Sequence, residues 1–145
     1  MDTKRLPSCI FRTRDDGIHE FTFLKSERAA VDQYITHLTH LFASPKRQDR
    51  VKILIDLRES GALPLPYLFQ RSREFIANTP NLSATQMAIV YGGGLMTSVT
   101  DAFFRALRLD VLRVRWFANE NHQGAVQWLL TPLSSHTPDQ PQPNV

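Results

Sequence analysis

Residues 51–61 read VKILIDLRESG, an apolar, β-branched run that ends in Asp56 and gives way to charge and glycine. The run is too short for a helix and is bounded by turn residues. It therefore predicts a strand buried on both faces, in the middle of a mixed or parallel sheet. Ligands of open α/β sheets settle outside the carboxyl ends of the strands, which makes the loop after Asp56 the first place to look for a site.

Working outward toward the amino terminus, residues 9–14 and 19–24 are two short runs separated by Asp15, Asp16 and Gly17. The alternation of Ile18, Glu20 and Thr22 with His19, Phe21 and Phe23 is a half-buried strand pattern, and Asp-Gly between strands predicts an antiparallel hairpin. Ser26 stands where an N-cap belongs, and Val31, Tyr34, Ile35, Leu38, Leu41 and Phe42 recur at helical spacing until Ser44 and Pro45. Downstream, residues 66–79 predict a helix that Pro66 can open and Pro80 must close. Strands follow at 86–91 and 111–117, and helices at 96–107 and 120–130. The order β, β, α, β, α, β, α, β, α requires crossover connections. It predicts an α/β domain over residues 1–131 with a five-stranded, mostly parallel sheet, one antiparallel strand and four helices. Residues 132–145 carry Pro132, Pro138, Pro141 and Pro143 without apolar periodicity and read as a disordered tail.

A chain of 145 residues that is 42% hydrophobic is large enough to bury a core without metals or disulfides. Its one cysteine, Cys9, excludes an intramolecular disulfide, and its start lacks the apolar segment of a signal peptide. A cytoplasmic protein without a membrane span is expected. The net charge of +3 is spread along the chain except for Arg105, Arg108, Arg113 and Arg115. No interleaved stacking aromatics or groove-reading element accompanies that group, which argues against a nucleic-acid partner.

The ILIDL strand ending in an aspartate, the element order, and the closing Phe117, Ala125, Trp128 and Leu129 together resemble the SpoIIAA-like branch of STAS domains, over residues 9–130. The resemblance implies a small regulatory or ligand-binding module with no chemistry of its own. It also implies a phosphorylatable serine in an Asp-Ser-Gly setting after the central strand. The matching residues here are Glu59, Ser60 and Gly61, with Glu in place of Asp and a shorter spacer after Asp56.

The residues offer a second candidate. Gly92, Gly93 and Gly94 precede the expected helix and are followed by Thr97 and Ser98, a setting in which backbone N–H groups can approach a phosphate or carboxylate. The pattern lacks the Lys-Ser/Thr pair of a P-loop. His37 and His40 share a helix face without further ligands at metal spacing, and Cys9 reads as a small core residue. Asp56 and Glu59, with Arg58 between them, read as a charged loop in which the strand-end Asp caps the backbone. Adjacent Phe103 and Phe104 cannot both face the core, so Phe104 or the hairpin edge is a candidate homodimer contact.

The expectation is thus a non-enzymatic, cofactor-free STAS-like module that works through a partner protein or a small anionic or lipid-like ligand. Its recognition is placed at Asp56, Ser60, Gly61, Gly92, Gly93, Gly94, Thr97 and Ser98. The alternative is a small nucleotide- or phosphate-binding protein or enzyme that uses the three glycines.

Overall fold

A computed structural model of the chain describes residues 7–43, 50–61, 63–80, 84–91 and 112–131. The first two strands, β1 (Cys9–Thr13) and β2 (His19–Phe23), pair antiparallel with Cys9 opposite Phe23 and Thr13 opposite His19. In the turn between them the Gly17 N–H donates to the Arg14 carbonyl at 3.0 Å, and the Arg14 N–H donates to the Ile18 carbonyl at 2.8 Å. Gly17 sits at φ +88°, a conformation that strains any residue with a Cβ, which is why the hairpin needs glycine after the two aspartates.

Helix α1 (Arg28–Ala43) buries Ala30, Val31, Tyr34, Ile35 and Leu38, the stripe that the 3.6-residue period marks. It starts two residues after Ser26. The intervening Glu27 accepts the Ala30 N–H at its carbonyl (3.0 Å) and the Ser8 hydroxyl at its carboxylate. The chain then forms β3 (Val51–Asp56), α2 (Leu65–Ala77), β4 (Thr85–Tyr91), β5 (Leu112–Ala118), a single 3-10 turn (Asn119–Asn121) and α3 (His122–Leu130). Pro64 precedes α2 and Pro66 lies in its first turn, where a missing N–H costs nothing. The helix stops at Ala77, short of Thr79, because the residue before Pro80 is pushed out of helical geometry.

The strands lie in the order β1-β2-β3-β4-β5, with β2 through β5 all parallel and β1 antiparallel at the edge. Strand β3 is the middle of the five, as its continuous apolar run predicts. Successive parallel strands that advance in one direction through crossovers of one hand place those crossovers on one face of the sheet. Accordingly α1 and α2 cover the same face, packing on Phe21, Phe23, Val51, Ile53, Ile55, Met87 and Ile89. The other face carries α3, whose Ala125 and Leu129 meet Ile18, Leu54, Ala88, Val90 and Phe117. The described residues thus form a five-stranded mixed sheet with three helices; the expected helix at 96–107 and the tail at 132–145 lie outside them.

Candidate functional site

The carboxyl ends of β2, β3, β4 and β5 share one edge of the sheet, because these strands are parallel. Asp56 is the last residue of β3, opposite Thr22 of β2 and Val90 of β4. The ladder runs one residue further: the Leu57 N–H donates to the Val90 carbonyl at 2.8 Å. The backbone then curls, with the Gly61 N–H donating to the Leu57 carbonyl at 2.9 Å and Gly61 at φ +72°. This second left-handed glycine lets residues 57–61 close a turn before the chain enters α2.

Asp56 holds that turn from below. One carboxylate oxygen accepts both the Arg58 N–H and the Arg58 Nε–H at 3.0 Å, and the other accepts the guanidinium at 2.7 Å. Burial by itself would raise the pKa of Asp56. The bonds from the Arg58 side chain and backbone, with the nearby charges of Arg58 and His122, outweigh that penalty and hold the carboxyl below its usual range. Ser60 stands in the same turn, half-buried, and its hydroxyl donates to the Gly61 carbonyl at 3.0 Å. Glu59 is exposed. The structure therefore brings Asp56, Ser60 and Gly61 into one turn. Gly92, Gly93, Gly94, Thr97 and Ser98 lie outside the described residues, as do Phe103 and Phe104.

Two neighbours of this turn escape a linear reading. His122, the first residue of α3, acts on Asp56 because β5 delivers α3 to the same end of the sheet. Glu20 lies on the same side of β2 as Thr22, accepts Arg12 at 3.0 Å, and adds to the negative field on Arg58. Strand order was the signal for His122, since a helix that follows a parallel strand starts at the strand's carboxyl end.

The other sequence candidates resolve into packing. Cys9 is only 2% exposed, and burial pushes its thiol up to about 12, which leaves it protonated and inert at neutral pH. His37 stacks on Phe11 with ring centroids 4.9 Å apart, and burial, then the charge of His40, lowers its pKa. His40 is exposed. Among the described residues no group of three or more His, Cys, Asp or Glu could hold a metal ion, and no helix is long and apolar enough to cross a membrane. No family model, curated protein or solved structure matches this chain.

Proposed function

We propose that this protein is a non-enzymatic, STAS-like regulatory module that captures a partner protein through the turn at residues 57–61. The observation that supports this reading is the arrangement around Ser60. A bidentate Asp56–Arg58 pair and a left-handed Gly61 fix the turn, while the serine hydroxyl bonds only to the carbonyl of the next residue among the described partners. A hydroxyl so placed can be exchanged for a charged group without breaking the strand ladder. Asp56 supports the non-enzymatic side of the reading, because both of its oxygens are taken by Arg58 and a committed carboxylate is a poor general base.

The test compares partner capture by wild-type protein, Ser60→Ala and Ser60→Asp, with far-UV circular dichroism confirming an unchanged fold. A change of tenfold or more between Ser60→Ala and Ser60→Asp is expected. Equal capture by all three would reject the turn as the recognition element.

A second reading is favoured by the Leu57–Val90 bond, which places the exit of β4 beside the same turn. Gly92, Gly93 and Gly94 follow Tyr91 directly in sequence, and they are the residues that would hold a small anionic or nucleotide ligand in this reading. Native mass spectrometry of the purified protein separates the two. A retained mass that disappears in Gly93→Val supports the ligand, and an unliganded mass together with Ser60-dependent capture supports the partner protein.

A further inference from the structure

Strand β5 carries Arg115 on the face occupied by α3, in the same row as Ala88 of β4. The guanidinium carbon lies 5.1 Å from the centroid of the Phe117 ring and 6.0 Å from that of Trp128, and the two rings are 6.0 Å apart. Arg12, Arg14, Arg58 and Arg71 each pair with a carboxylate. No carboxylate pairs with Arg115 among the described residues. Arg28 and Arg73 also stack, but each is an exposed helix residue over a single ring. Arg115 alone is half-buried and held by two rings from different elements. Contact with both rings restrains the guanidinium, and neither ring offers the paired oxygens that its N–H donors fit.

We propose that Arg115, oriented by Phe117 and Trp128, is the anchor of a binding site for an oxyanion, the phosphate or carboxylate group of a small ligand. A planar guanidinium matches two oxygens of either group, and ordering the fork before binding removes most of the entropy loss that weakens surface arginines. The site lies on the outer strand and on α3, so it stands independently of the turn at residues 57–61.

Trp128 reports on it directly. In a Trp116→Phe background Trp128 is the sole indole, since the chain has 2 tryptophans. Its emission is followed while sodium pyrophosphate or disodium succinate is added at constant ionic strength. A saturable change is expected with at least one of them, and the anion that produces it assigns phosphate or carboxylate. Arg115→Gln should weaken the response at least tenfold. Arg115→Lys should recover little of it, because an ammonium is neither planar nor forked. Ser60→Ala should leave it unchanged. If Trp116→Phe does not fold, the indole N–H resonance of Trp128 in the otherwise unaltered protein gives the same titration. Absence of saturation with both anions, or equal saturation in Arg115→Gln, would overturn the proposal.

Discussion

At Asp56, burial and pairing act on one carboxyl in opposite directions, and pairing prevails. Its folded pKa lies below the unfolded value of about 3.9, so the folded state binds fewer protons than the unfolded chain. Asp56 accordingly contributes stability that is complete above that value and is lost as pH falls through the folded one. Asp56→Asn is expected to be less stable than wild type by about 1–2 kcal/mol at pH 7, with the gap narrowing by pH 3. Urea denaturation at the two pH values measures this, and a gap independent of pH would mean that the Arg58 pairing adds nothing. The role of Asp56 was legible because a strand-end aspartate followed two residues later by arginine is a local pattern. The influence of His122 was not, since 66 positions separate the two residues and only the parallel course of β5 brings them together.

Elements show the same division between what is local and what is not. The outward alternation of β2 and the apolar stripe of α1 are periodic, and both elements stand where their period puts them. Nothing periodic announces Gln33. Its side-chain carbonyl accepts the N–H groups of Ser8 and Cys9, each at 2.8 Å, at the amino end of β1. These donors belong to an edge strand and would otherwise go unpaired or invite another chain. Gln33→Ala is expected to cost about 1–3 kcal/mol, with faster amide hydrogen exchange at Ser8 and Cys9 than elsewhere in β1. Unchanged exchange at both amides would refute the clamp. Helix α1 starts one residue later than an N-cap at Ser26 predicts, and Glu27, which stands just before it, is engaged by Ser8, a partner far away in sequence.

Across the whole molecule, the apolar join between α3 and the sheet encloses one fully buried polar residue. Gln86 is fully buried in β4, its Nε2 donates to the Trp128 carbonyl at 3.0 Å, and its Oε1 has no hydrogen-bond partner among the described residues. Nothing local in the sequence marks this glutamine as buried, and the packing of α3 across the sheet is what encloses it. Gln86→Leu removes the bond and the unpaired acceptor together and should change stability by no more than about 1 kcal/mol. Gln86→Glu places a carboxylate in the same dry position and should cost about 3 kcal/mol or more at pH 7, with partial recovery at pH 5 as the buried carboxyl takes up a proton. Thermal melts at the two pH values decide the matter, and a Gln86→Glu protein as stable as wild type at pH 7 would show that α3 does not seal this face. The strand order has a consequence for synthesis. Because space repeats sequence from β1 to β5, each strand leaving the ribosome joins a sheet whose previous member is already in place, and none must be threaded between two others. Gln33, made before β3, already occupies the Ser8 and Cys9 amides at the far edge when the third strand meets the sheet at β2.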